Sequence, residues 1–125
     1  MTLLAFDFGT RRVGVATGTR FMGNAEPLKS IAVEGEARFA AIEKLIKEWQ
    51  PDALVIGVPF HPDGAEHEIT LRARKFGRQL KSRFRLAVHE VDERYTSVEA
   101  ESRGAKDVDS MAAALILEQF FREHP

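Results

Sequence analysis

The sequence contains no cysteine. That excludes disulfides, thiolate nucleophiles and cysteine-ligated zinc, and it suits a reducing cytosol. Also missing is any apolar run near the ~20 residues that a membrane-spanning helix needs. The opening apolar stretch is broken by Asp7 and has no basic segment before it, unlike a secretory signal. Neither sign of charge dominates: 18 Lys and Arg stand against 19 Asp and Glu, a net charge of −1. A protein that coats nucleic acid indiscriminately would be strongly basic, so any contact with phosphates must come from a local patch. Trp49 and the phenylalanines fall at expected core positions, which leaves no platform for stacked bases. No repeat, low-complexity tract or linker divides the 125 residues. One domain, 1–125, of ordinary size is expected.

What is present is a succession of strand and helix patterns. Leu3 to Phe8 reads as a buried strand ended by Gly9-Thr10, and after the Arg11-Arg12 turn Val13 to Thr17 returns as its hairpin partner. Leu28 to Val33 is a weaker third strand. From Glu36 to Gln50, Phe39, Ile42, Leu45, Ile46 and Trp49 recur at helical spacing, and Pro51 ends the pattern. Ala53 to Val58 has no polar face, as befits a central strand covered on both sides. After the Pro59 to Gly64 loop come a helix from Glu66 to Phe84 and a strand from Leu86 to Val91. A short helix from Thr96 to Arg103 and a last one from Val108 to Arg122 complete the chain. A meander followed by alternating helices and strands predicts an α/β fold, a mixed sheet with helices on its faces.

Three acidic features stand out. Asp7 alternates with Leu3 and Ala5, so it belongs to a face that should be buried, where an unpaired carboxylate is costly; alternatively it caps the Gly9-Thr10 turn. Asp92-Glu93-Arg94 follows the Leu86 to Val91 strand, at the kind of strand end where α/β proteins place ligands, although Arg94 can also pair with either acid at the surface. Asp109 shares a helix face with Ala113, Ile116 and Phe120, yet it also suits the first turn as a dipole partner, or a cap made with Asp107 and Ser110. Converging carboxylates repel one another unless a divalent cation neutralises them. Oxygen ligands without histidine or cysteine favour Mg2+ or Mn2+. Such a site can hold two ions about 4 Å apart, one activating water and one stabilising the leaving oxygen.

The local basic patch lies on the helix from Glu66 to Phe84. Arg74, Lys75, Arg78, Lys81 and Arg85 gather on one side, opposite Ile69, Ala73, Phe76, Leu80 and Phe84. A solvated helix face usually mixes signs for i,i+4 support, so a single-sign stripe suggests phosphates as its counter-charge; a plain soluble surface is the alternative. His61 and His67 flank the Pro59 to Gly64 loop, either near substrate or simply exposed.

Five segments in order resemble the YqgF family, also called RuvX: Phe6-Asp7-Phe8-Gly9-Thr10-Arg11-Arg12-Val13-Gly14-Val15-Ala16; Gly57-Val58-Pro59 with Asp63-Gly64; Arg72-Ala73-Arg74-Lys75-Phe76; Asp92-Glu93-Arg94-Tyr95-Thr96; and Asp109-Ser110 with Ala112-Ala113 and Ile116-Leu117. The resemblance implies a ribonuclease-H-like fold with a five-stranded sheet. It also implies metal-dependent endonuclease activity and a role in trimming the 5′ end of precursor 16S rRNA, in contact with nucleic acid and the ribosome. Its catalytic acids map onto Asp7, the Asp92-Glu93 pair and Asp109, with Glu93 favoured over Asp92 as a ligand by similarity to resolvases of the same fold. Arg11, Arg12, Arg74, Lys75, Arg78, Lys81 and Arg94 are the expected nucleic-acid contacts. The chain departs from the family pattern in a shorter stretch between Thr96 and Asp109, with only Arg103 and Lys106 before Asp107, and in Ala65 after the Asp-Gly.

Other readings compete. Asp7-Phe8-Gly9-Thr10 looks like the first phosphate-binding turn of actin-like sugar kinases, but those enzymes enclose nucleotide between two domains. A non-catalytic nucleic-acid-binding module would have no need to keep three acids. A resolvase of four-way DNA junctions would require a defined dimer. No dimer seam is evident, so a monomer or weak homodimer acting on RNA is expected.

Overall fold

The computed structural model describes residues 1–61, 63–93 and 107–124. The chain runs β1 (Thr2–Phe8), β2 (Val13–Thr19), β3 (Ala25–Ile31), α1 (Gly35–Trp49), β4 (Ala53–Pro59), α2 (Glu68–Phe84), β5 (Ala87–Glu93) and α3 (Val108–Glu123). The strands form one sheet in the order β3-β2-β1-β4-β5. β2 pairs antiparallel with both β1 and β3, whereas β4 runs parallel to β1 and β5 parallel to β4. This is the expected mixed sheet. Short turns suffice for antiparallel neighbours, while parallel ones need α1 and α2 to carry the chain back.

Alternation along the strands splits the core into two layers. Leu4, Phe6, Leu54, Ile56 and Val58 turn to one face, which Phe39 and Ile42 of α1 and Phe76 and Leu80 of α2 cover. Leu3, Ala5, Val55 and Val91 turn to the other, beneath Ile116, Leu117, Phe120 and Phe121 of α3. β4 is buried from Ala53 to Val58, which explains its unbroken apolar run. No helix among the described residues is long and apolar enough to cross a membrane.

β2 runs two residues further than expected, to Thr19, and most other ends shift by one; three differences have a clear cause. β3 begins at Ala25 and ends at Ile31, because pairing with β2 starts at Gly18 opposite Ala25; Pro27 is tolerated on this edge strand, where one side of the ladder is unused. α2 begins two residues late, since His67 caps it: its Nδ1 accepts from the Ile69 N–H at 3.3 Å. β5 continues to Glu93, carried by pairing as far as Pro59 opposite Glu93. The expected short helix from Thr96 to Arg103 lies outside the described residues.

The first turn of α3 sits directly on β2. A Cβ at Gly14 would overlap the Asp109 carbonyl and stand 2.8 Å from the Ser110 N, so only glycine permits this approach. Buried Ser110 accepts the Val15 N–H on its Oγ at 3.1 Å. A register shift between β2 and β3 lies at the same level, and there the Ser30 N–H reaches Asp107 Oδ2 at 3.1 Å. Asp107 Oδ1 in turn accepts the Ser110 N–H at 3.1 Å, capping the helix. Burial raises the Asp107 carboxyl, but the hydrogen bonds from Ser110 and Ser30 outweigh it and hold the group below its usual range. Ser110→Ala leaves a buried N–H without its partner and is expected to cost about 1–3 kcal/mol in denaturant unfolding. Wild-type stability in that variant would show that the hydroxyl does not hold the helix in place.

Candidate active site

Asp7 and Glu93 come from the two strands that flank β4, on the α3 side of the sheet. Asp7 is in register with Gly57, and Gly57 with Val91, two residues before Glu93. The intervening strand therefore has no side chain at that level, and the two carboxyls meet over it. Glu93 Oε2 lies 2.9 Å from where a Cβ on Gly57 would stand, and the Ile116 side chain closes the same space from above. Glu93 is only 9% exposed. Asp7 keeps some exposure at the end of β1.

The electrostatics follow from this burial. Asp7 is pushed up to about 6, chiefly by burial; the hydrogen bond with Glu93 works against the rise and the charge of Asp109 adds to it. Glu93 is pushed up to about 10, first by burial, then by the charge of Asp7, then by the hydrogen bond it makes to Asp7. Burial and mutual repulsion thus make the pair hold on to a proton above the ordinary carboxylate range, across the hydrogen bond between the two groups. Neither forms a salt bridge with a described residue. A buried pair of hard oxygen donors suits a divalent cation of the Mg2+ or Mn2+ kind, which would take the place of the shared proton. Asp109, on the first turn of α3, is within electrostatic reach of Asp7. Among the described residues no three His, Cys, Asp or Glu side chains form a closed ligand cluster, so the donor set is a touching pair with a third acid standing off.

The other expected residues are distributed as follows. Asp92 is exposed and alternates away from Glu93, toward the α2 side, while its carbonyl accepts from Gln119 Nε2 at 3.3 Å. Arg11 and Arg12 are exposed in the β1–β2 turn, at the same end of the sheet as Asp7. Arg74 is engaged: it bonds Glu66, reaches Glu90 of β5 at 3.6 Å, and lies 5.4 Å from the Phe60 ring centre. Lys75, Arg78 and Lys81 are exposed on α2, in the layer opposite the carboxylates. Arg94 lies outside the described residues. His61 and His67 lie side by side, ring centres 4.5 Å apart, and His67 serves as the cap.

Sequence reasoning missed two residues. One is Gly57, whose lack of a side chain lets the acids meet; only a register could reveal that. The other is Arg38, 7% exposed, which donates to the Val33 carbonyl at 3.0 Å and the Thr10 carbonyl at 3.1 Å. It pins the turn that carries Arg11 and Arg12, and its guanidinium lies 5.8 Å from the Phe8 ring centre. The signal was an arginine on the apolar stripe, one helical turn before Ile42.

Fold and site together define a ribonuclease-H-like α/β protein with a buried carboxylate pair at the C-terminal ends of its parallel strands. The family model described as "RuvX: Holliday junction resolvase" matches residues 1–123, and the chain belongs to that family. A protein of Albidiferax ferrireducens is 64% identical over 121 residues, covering 97% of this chain and 78% of its own length. A protein of Polaromonas sp. is 60% identical over 124 residues, covering 99% and 90%. Both bear the name "Putative pre-16S rRNA nuclease". Among solved structures, Thermus thermophilus RuvC in complex with Holliday junction substrate matches with a TM-score of 0.60 at 16% identity, covering 99% of this chain and 97% of that one. Fowlpox virus resolvase matches at 0.56 and 6% identity, covering 98% of each. At such identities the likeness concerns the fold alone.

Two outcomes are expected. Gly57→Ala places a methyl against Glu93 and Ile116, so it should cost about 1–3 kcal/mol of stability and, where Mg2+ binding at the pair raises Tm, shrink that rise. A variant matching wild type in both would mean the acids do not need the gap. Second, the folded protein holds protons that the unfolded chain has lost, so stability without divalent cations should fall with rising pH. The fall starts in the ordinary carboxylate range, passes about 6 for Asp7 and continues toward about 10 for Glu93. Thermal melts in chelator across that span test this: Glu93→Gln should flatten the slope, and an already flat wild-type profile would refute the raised values.

Proposed function

We propose that this protein is a divalent-metal-dependent endonuclease that hydrolyses nucleic-acid phosphodiesters and trims the 5′ end of pre-16S rRNA in the bacterial cytoplasm. The observation that carries the reading is the Asp7–Glu93 pair, two acids from separate strands brought together over a glycine. Folding against such repulsion is understandable where a cation binds. Asp7 and Glu93 are the primary ligands and Asp109 the third, from α3. Mg2+ or Mn2+ held there supplies Lewis-acid activation of water and phosphate, with two ions as the fuller form. Asp92 faces away from the pair and has at most an outer role. Arg11 and Arg12 contact phosphates at the rim, positioned by Arg38.

The names of the close relatives support RNA as the substrate and ribosome biogenesis as the setting. The family description keeps a four-way DNA junction as the second reading, which would call for a defined dimer instead of a monomer or weak homodimer. The test offers a 5′-extended pre-16S rRNA fragment and a four-way junction to wild type and Asp7→Asn, each with Mg2+, Mn2+ or chelator. We expect metal-dependent cutting of the RNA, slowed roughly 100-fold or more in the variant with RNA affinity retained. Cutting of the junction alone would replace this reading with the resolvase. Tight binding with no cutting of either would leave a non-catalytic module.

A further inference from the structure

The cations of α2 divide into two groups. Three are neutralised: Arg72 by Glu68 at 3.2 Å, Arg74 by Glu66 and Glu90, and Arg83 by Glu36 at 2.5 Å, stacked 4.0 Å over the Phe39 ring centre. Four others, Lys75, Arg78, Lys81 and Arg85, are exposed and form no ion pair with a described residue. Their placement is defined by their neighbours. Arg74, Arg78 and Lys81 stand at i, i+4 and i+7, one ridge of the helix. Because Arg74 reaches Glu90 on β5, that ridge runs down the β5 side; Arg83, on the other flank, meets α1. β5 is the edge strand of the described sheet. Of the carboxylate pair, Asp7 is on β1 and Glu93 ends β5 on the opposite layer, three residues beyond Glu90, so the ridge starts near that end of the sheet and runs away from it.

We infer that the ridge Lys75–Arg78–Lys81, extended by Arg85, is a second nucleic-acid surface, separate from the cleft, which holds the phosphate backbone of a segment flanking the cut as it passes around the β5 edge. The inference rests on the nuclease reading for the word "cut", though not for binding. From Lys75 to Arg85 the anchors extend about 15 Å along the helix, and β5 spans about 20 Å from its start to Glu93. Lys81 and Arg85 lie toward the end of α2 away from Glu90, beyond the reach of a substrate confined to the cleft, so the enzyme should prefer long RNA to short. A polyanion fits better than a protein partner: the charges are of one sign and helically spaced, with no aromatic among them to act as a buried anchor. With a net charge of −1, the chain as a whole offers no general attraction that would mimic the effect.

The test compares wild type with Lys75→Gln/Arg78→Gln/Lys81→Gln, and with Arg72→Gln/Arg83→Gln as a control from the paired group, after melts show each to be folded. Binding of extended single-stranded RNA is measured in chelator against salt, beside polyglutamate. Losing three phosphate contacts should make the slope of log affinity against log salt shallower by about 2. We expect affinity for extended RNA to fall at least tenfold in the triple variant only, and preference for cutting long over short RNA to collapse by a similar factor. An unchanged slope, an equal loss in the control, or tighter binding of polyglutamate than RNA would overturn the inference. Wild type that binds RNA through the ridge but cuts nothing would sink the nuclease reading and leave the ridge standing.

Discussion

The close seating of α3 on β2 governs everything placed at the top of the sheet. Gly14 lets the backbone of Asp109 and Ser110 approach to contact, the Ser110 hydroxyl captures the Val15 N–H, and Asp107 ties the helix end to Ser30 of β3. Below that point Ala113 and Ala114 of the helix meet Ala16, keeping helix and sheet close. Two strands and a helix are thereby fixed at one point by hydrogen bonds, of which the one between Val15 and Ser110 is buried from solvent. The position of Asp109 relative to Asp7 is a by-product of this seat, since Asp107 does the capping and leaves the next acid available.

Around that seat the protein treats charge in three ways. Arg38 is spent inside on backbone carbonyls, where its donors replace water for groups that would otherwise lack it. Arg74 and Arg83 act as struts, linking α2 to β5 and to α1 through acids on neighbouring elements; exposed pairs of this kind add little free energy but restrict how elements slide. Asp7 and Glu93 are left without a cation, at a cost that a shared proton only partly relieves. The first two uses serve the scaffold. The third is the one on which the proposed chemistry rests.

Much of this was legible beforehand. The alternation of Leu3, Ala5 and Asp7 places the acid on the α3 face, and the apolar run Ala53–Val58 identifies the central strand. What could not be read was register. The run to Val91 hides that pairing with Pro59 draws Glu93 into the strand, and that parity then separates it from Asp92. The basic stripe showed no acid within itself, yet Glu66 and Glu90 reach its Arg74 from the loop and from β5. Local spacing reports which residues share a face; it carries no information about which other element that face will meet.

The helix that carries Asp109 follows all five strands in chain order. Until α3 is made and docked, Leu3, Ala5, Val55 and Val91 have no cover on one side of an otherwise paired sheet. During synthesis the growing chain therefore carries a bare apolar face for most of its length, the kind of surface that chaperones shield and that aggregates if left open. The same order bears on the proposed centre. Asp7 is made first, then Glu93, then Asp109, so on that reading a ribosome-bound fragment lacking α3 would hold the touching pair without the third acid.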